Sequence, residues 1–596
     1  MGLHEILCHD EHYAETIRDS MKASFNRTLL ALGLSLWLGG CAVTGQQAET
    51  PDHSAPDYDL SSEAQVPVVY GQFSKDSLFA LLTAEIAGQR NRFDIALGNY
   101  LDQARQTRDA GVTERALRVA EFLGAQDQAL EMAELWVSIA PDNPEALRAA
   151  ALHLARAGEL QQAMAMMRQV LELHGETHFD FLALAAVQTD PPTRAALLNT
   201  LQQLLGEYPD NAQLVFAQAL LLQQEERDDE ALALFRNHPQ AAKAPAAILL
   251  QSRLLTARGD SAQAVNLLQG GLREHPNDQR MRLLLARLLV AEGELQAAAR
   301  QFSLLQQDNP DDPDLLLTLG LINLEAGNSQ AAIEQLEQAL AIDPDNNTAR
   351  YHLGLAYEDQ GQQQQALDTW QAVGSGNEFL SARLRVSQAL SQQGRTDELH
   401  DYLESERAAY PGAALQLHLI EIETLVESDP TLAMQRVNQA LQRFELDSNL
   451  LYTRALLAER LGQPDTLEAD LRSILEREPD NAMALNALGY TLADRNERLE
   501  EALELIERAM ALNPNDPAII DSLGWVHFRL GNLELAEELL RRAYAAFPDQ
   551  EVAAHLGEVL WVQGRQREAR KIWDEALKKD PDSPLVRETR QRLEQR

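Results

Sequence analysis

A spacing of 34 residues runs through this sequence and limits what it can fold into more than any other feature. Pro276, Pro310 and Pro344 stand 34 apart, and so do Leu285, Leu319 and Leu353. The same holds for Ala286, Gly320 and Gly354, for Gly293, Gly327 and Gly361, and for Ala298, Ala332 and Ala366. The frame reaches back through Pro209, Ala219 and Ala231 to Pro141, Ala151, Gly158 and Ala163. Forward it passes Pro411, Pro479, Leu488 and Gly489, then Pro514, Leu523, Gly524, Gly531 and Ala536. Beyond Pro548 it continues, after a one-residue deletion, to Gly557, Gly564, Ala569 and Pro581. Such a period marks a supersecondary unit repeated in tandem, each unit burying its apolar face only against its neighbours. About 15 units fit between roughly residues 74 and 581, with looser matches in the earliest units and near 175–208 and 411–445.

Composition says what the unit is made of. Aromatic residues are only 5% of 596 and hydrophobic residues 45%, with Ala, Leu, Glu and Gln abundant. These are strong helix formers, and the β-branched and aromatic enrichment that sheets need is missing. The unit therefore reads as a helix pair, and the pattern resembles the tetratricopeptide repeat. That resemblance implies an all-α fold, a right-handed α-solenoid of helix pairs. In Pro310–Pro344 it implies that Gly320 lets Ala332 approach and that Gly327 permits the backbone reversal between helices. It also implies that Pro344 opens the next helix, and that Leu319, Leu336 and Ala339 close the seam. A polar helix Ser583–Gln595, within residues 582–596, is expected to cap the stack.

The N-terminus reads as an address and an anchor. Lys22 and Arg27 precede the apolar stretch Thr28–Leu38, which is shorter than the roughly 20 residues a membrane-spanning helix needs. Leu38-Gly39-Gly40-Cys41 follows directly and resembles the lipobox of bacterial lipoproteins, so residues 21–40 are expected to be a signal peptide and Cys41 to be acylated. Residues 1–20 are acidic, carry His4, His9 and His12, and read as an upstream extension before a start at Met21. Ala42 after the cysteine, by resemblance to sorted lipoproteins, points to the outer membrane, facing the periplasm. From Ala42 to Phe73 the chain is polar and rich in turn residues, and reads as a flexible linker. Such a linker has an end-to-end distance of roughly 30 Å and a reach of about 100 Å when extended.

Charge and motifs exclude several functions. Lys and Arg number 51 against 91 Asp and Glu, a net charge of −40, which opposes binding to the phosphate backbone of nucleic acids. Two cysteines, Cys8 and Cys41, cannot support a disulfide framework or a four-ligand zinc site. No phosphate loop, dinucleotide fingerprint, metalloprotease motif or nucleophile elbow occurs. Val373-Gly-Ser-Gly-Asn377 and the trio His174, His178 and Asp180 fall at unit boundaries and read as loops. No enzyme activity, cofactor, metal or small-molecule substrate is expected.

What remains is the surface lined by the first helix of each pair. Counted from the recurring Leu, its inward positions are Leu317, Leu321 and Leu324, then Tyr351, Leu355 and Glu358. Further on they are Asn486, Tyr490 and Ala493, then Asp521, Trp525 and Phe528. Repeats that clamp acidic chaperone tails carry Lys and Asn at these positions, and that clamp is absent. An apolar, aromatic groove in an acidic setting suits extended or helical segments of partner proteins, Trp and Tyr being frequent hot-spot residues. The same residues would also serve to pack neighbouring repeats. Residues 541–596 carry 12 Lys and Arg against 10 Asp and Glu, which reads chiefly as basic side chains at helix C-termini.

Three stretches carry a closer resemblance: Phe79–Arg90 with Phe93–Tyr100, Leu488–Asp494, and Asp521–Trp525. They resemble proteobacterial repeat lipoproteins, among them the binding partner of a carboxyl-terminal processing protease. This implies a non-catalytic adaptor that recruits and activates the protease and presents substrates such as cell-wall hydrolases. The alternative is an assembly lipoprotein for a pilus, secretin or polysaccharide-export machine.

Overall fold

The computed structural model describes residues 73–173, 177–186 and 189–595. Signal peptide, Cys41, linker to residue 72 and His174 lie outside the described residues. Among those described the chain forms 31 α-helices and two short 3-10 turns, with no strand. In chain order these helices make 15 successive pairs and one last single helix, Pro584–Glu594, the all-α helical-hairpin solenoid that the period predicts.

The described chain divides into two compact units, one running to Leu315 and including Glu325–Gly327, the other holding Leu316–Leu324 and Asn328 onward. The first is built on buried Met132, Leu147, Met167, Leu201, Leu214, Phe235 and Leu268. Its loose match near 175–208 has a simple cause: the first helix is cut to Asp180–Ala185 and the second lengthened to Pro191–Glu207. In the second unit, Leu336, Tyr351, Trp370, Phe379 and Leu403 belong to one apolar cluster, and Leu450, Leu471, Leu488, Ile506 and Val526 to another. The final helix is a cap in the literal sense, with Val586 and Leu593 buried and the basic and acidic residues outward.

Helix starts follow capping chemistry. Asn143, Asn211, Asn346 and Asn481 each accept a backbone N–H of the first turn with the side-chain oxygen. Asp278, Asp447, Asp516 and Asp549 do the same. Each cap contributes about 1 kcal/mol. This corrects the expectation for Pro344: the helix begins at Asn347, its cap is Asn346, and the proline stands two residues earlier in the turn. Proline does open other helices, standing directly after the capping residue, as Pro144 after Asn143 and Pro517 after Asp516.

The small residue on the first helix also has a different neighbour from the one expected. A Cβ built on Gly320 would lie 2.7 Å from Leu336, not against Ala332. Gly354 and Gly557 sit beneath Trp370 and Trp573 in the same way, and Gly524 beneath Leu540. Where the first helix carries Ala instead, the residue 16 positions on is Phe or Met in three of the pairs: Ala286 with Phe302, Ala219 with Phe235, Ala151 with Met167. In these pairs Trp, the bulkiest side chain, thus lies over Gly, while Ala goes with Phe or Met, as crowding in a close-packed interior requires. Leu319, Leu336 and Ala339 are buried in the seam as expected. Gly327 turns between its helices with φ +76°, a conformation that suits glycine.

Candidate functional site

Four first helices of the second unit, Ser448–Arg460, Ala482–Asp494, Pro517–Arg529 and Gln550–Val562, bring aromatic and acidic side chains together. Residues three or four apart on one helix share a face, so each helix offers a short stripe, and stacking of the pairs sets the stripes side by side.

Trp525 lies at the centre. Its indole stacks on the His555 imidazole, with ring centroids 3.9 Å apart and planes at 20°, and Phe528 follows at 5.0 Å. The Arg529 guanidinium lies over the indole at 4.6 Å, close enough for a cation–π contact. The indole N–H donates to Asp494 Oδ1 at 3.3 Å, and Arg529 donates to the Asp494 carbonyl at 2.8 Å. On the other side, His555 Nδ1 donates to Asp521 Oδ2 at 2.9 Å. His555 Nε2 lies 3.5 Å from the Tyr490 hydroxyl, which itself donates to Glu551 Oε1 at 2.5 Å.

All of Tyr490, Asp521, Trp525, Glu551 and His555 are buried, and in the titrating groups among them burial competes with neighbouring charges and hydrogen bonds. It pushes the Asp521 carboxyl upward, with His555 opposing. It pulls the His555 imidazole downward, but the charge and hydrogen bond of Asp521, with Glu551 behind them, outweigh it and leave the imidazole raised. Burial, joined by the Glu551 carboxylate, carries the Tyr490 phenol well above its ordinary value. Half-buried Glu459 is also raised, by burial first and then by the carboxylates of Glu551 and Asp494.

The residues singled out from sequence divide into two sets. Tyr490, Asp521, Trp525 and Phe528 belong to this cluster, and Asn486 and Ala493 are buried on the same helix as Tyr490. Leu317, Leu321, Tyr351 and Leu355 are instead buried in the apolar cluster of Trp370 and Phe379, with Leu324 packed against it. The Tyr351 carbonyl accepts the Trp370 indole N–H at 3.1 Å, and Glu358 is exposed, 3.5 Å from Arg385. Cys41 lies outside the described residues. Sequence reasoning missed Glu459, Asp494, Glu551 and His555. The last stands 34 residues after Asp521, but the deletion beyond Pro548 moves the repeat frame to Ala554.

The other sequence features take structural parts. The Val373–Asn377 loop is held by Asn347, whose side chain accepts from Gly374 N–H at 2.9 Å and donates to the Ser375 carbonyl at 3.0 Å. The basic side chains near the C-terminus are largely paired, among them Arg541 with Glu537, Arg570 with Glu594 and Arg590 with Asp574, each at 2.8 Å. Among the described residues no group of three or more His, Cys, Asp or Glu is placed to hold a metal ion, and no helix is long and apolar enough to cross a membrane.

Comparison with known proteins completes the description. Family models of the tetratricopeptide repeat match residues 255–320, 348–375, 452–517 and 522–584, and a TPR repeat model matches 321–361. The TPR repeat-containing protein PA4667 of Pseudomonas aeruginosa is 54% identical over 544 residues, 91% of this chain and 92% of that protein. The protein O-mannosyl-transferase TMTC1 of Mus musculus is 31% identical over 142 residues, 22% of this chain but only 15% of that protein. A solved structure of Naa15/Naa10 bound to HypK-THB superposes with a TM-score of 0.34 and 13% identity, covering 87% of this chain and 96% of that one.

Proposed function

This chain belongs to the tetratricopeptide-repeat proteins, and we infer from that membership that it works as a scaffold for other proteins, with no catalysis of its own. In this reading an acylated Cys41 holds the body at the outer membrane, facing the periplasm. Acyl chains contribute about 0.8 kcal/mol per buried CH₂, so a multiply acylated cysteine is a stable tether. The body recruits a carboxyl-terminal processing protease, activates it and presents substrates such as cell-wall hydrolases.

The observation that carries the binding role is the convergence of Tyr490, Asp521, Trp525 and His555 from successive first helices. Aromatic and charged side chains gathered on one concave face bind polypeptide. The lipobox-like Leu38–Cys41 and the three stretches resembling repeat lipoproteins support the anchor and the choice of partner. Bringing protease and substrate onto one body makes their second encounter intramolecular, which raises its rate without any new chemistry.

Affinity capture of the full-length chain from envelope extracts, followed by mass spectrometry, tests this reading. It predicts recovery of a processing protease together with hydrolases. Recovery of an outer-membrane oligomer with no protease overturns it in favour of an assembly lipoprotein. Labelling with radioactive palmitate tests the anchor: wild type takes up label and Cys41→Ser does not, and an unlabelled wild type removes the anchoring claim.

A further inference from the structure

Three adjoining first helices of the first unit, Ala212–Gln224, Pro245–Ala257 and Gln279–Ala291, carry no Asp or Glu, although the chain holds 91 of them. They touch in order along the stack. Their ionic side chains are four arginines, and two of these are engaged: Arg280 by Asp278 at 3.6 Å, and Arg282 by the Gln301 side-chain oxygen at 3.2 Å. Arg253 and Arg287 have neither a hydrogen bond nor an ion pair among the described residues. They stand 34 apart, Arg253 two residues past Gln251 and Arg287 two past Leu285. By the count from the recurring Leu, that is where a first helix faces the groove. Arg253 is exposed and Arg287 half-buried. Burial draws the Arg287 guanidinium below its ordinary pKa, and no carboxylate opposes it. A cation desolvated without a counter-charge is costly, and a ligand carboxylate removes that cost. Phe216, Leu220, Leu283 and Val290 on the same helices are half-buried and accessible, so apolar surface accompanies the arginines.

We propose that Arg253 and Arg287 form a subsite for acidic side chains of a bound, extended polypeptide. A guanidinium holds a carboxylate through two parallel N–H···O bonds, and arginine is a frequent hot-spot residue. Neighbouring helices pack roughly 8–10 Å apart, and side chains two residues apart in an extended segment share a face about 7 Å apart. Two carboxylates separated by one residue therefore reach both arginines, and apolar residues of the same segment lie on Phe216, Leu220 and Leu283. With a net charge of −40 the rest of the chain repels an acidic segment, so the acid-free helices fix where it sits. The assignment rests on the scaffold reading and gives its groove a register.

Three fluorescent dodecapeptides of Ala, Ser and Leu test the assignment. The first is blocked at both ends and carries a central Glu-Leu-Glu. The second replaces this by Gln-Leu-Gln, and the third keeps Gln-Leu-Gln but has a free C-terminal carboxylate. Binding to the full-length chain in detergent is read by fluorescence anisotropy. The site predicts that the first peptide binds roughly tenfold tighter than the second, and that the third binds like the second. That preference weakens with salt and disappears in Arg253→Gln combined with Arg287→Gln. Arg253→Gln alone, at an exposed position, reduces the preference and serves if the double variant does not fold, as judged by circular dichroism. Equal affinities for the three peptides, no binding at all, or tightest binding of the third overturns the assignment. So does a preference unchanged in Arg253→Gln and in any folded double variant. Protease capture by a chain with no acidic preference leaves the adaptor role standing and sinks this site. The preference without a captured protease does the reverse.

Discussion

Gly354→Ala tests the packing rule on which the whole stack depends. A methyl at this position would press against Trp370 Nε1, well inside ordinary van der Waals contact. The indole is almost fully buried and its N–H is spent on the Tyr351 carbonyl at 3.1 Å, so it cannot give way freely. Overpacking of this kind costs about 1–3 kcal/mol. Displacing the indole orphans a buried donor for about another 1–3 kcal/mol. Ala in place of Gly within a helix returns about 1 kcal/mol. The net expectation is a loss of about 2–3 kcal/mol. It should be local, because a repeat packs chiefly against its neighbours, and hydrogen exchange read by mass spectrometry is the fitting assay. Amides of Asn347–Asp359 and Gln363–Gln371 should exchange roughly 30- to 150-fold faster. Other pairs of this chain combine a buried Ala with a buried Phe at the same 16-residue spacing, as in Ala286 and Phe302, so Gly354→Ala with Trp370→Phe should recover most of the protection. Simple additivity of the two changes would refute the reasoning.

Other expectations follow from the same geometry. Glu421 and Arg407 are both buried and bonded at 2.8 Å, and Arg436 pairs with the same carboxylate at 3.1 Å, so Glu421→Gln should lower stability by about 3–5 kcal/mol, read by urea unfolding. Glu226 stands where most pairs have glycine and adopts φ +57°, so Glu226→Gly should stabilise by about 1 kcal/mol, seen as slower local exchange. Arg498 and Arg472 hold the Glu468 carboxyl at about 2, below its ordinary value near 4.5. Its folded value is the depressed one, so its contribution is complete above pH 4.5 and is lost as pH falls toward 2. Acid titration of stability for Glu468→Gln should lack that part of the wild-type decline.

Much of this was legible in the residues, and the misreadings have physical causes. The period marks helix pairs because each pair must bury the same positions against the next. It does not say where a helix begins, because proline serves two purposes here. In Pro344-Asp345-Asn346 it stands in the turn and the amide caps the helix, whereas in Asp516-Pro517 the acid caps and proline is the first helical residue. Tyr490, Asp521, Trp525 and Phe528, counted from the sequence as inward positions, do meet in one cluster. His555 was not counted with them, since the deletion after Pro548 shifts the frame by one residue, about 100° around a helix. Leu317, Leu321, Tyr351 and Leu355 show the converse ambiguity, because an apolar residue on a first helix satisfies core packing and ligand contact equally well.

The central claim is that this chain supplies a surface and leaves the chemistry to its partner. Reconstitution measures that directly: a cell-wall hydrolase is incubated with the captured protease, with the purified chain, and with both. The account predicts slow cleavage by the protease alone, faster cleavage with both, and none by the chain alone. Turnover by the chain unaided, or a protease rate that ignores its presence, would contradict it.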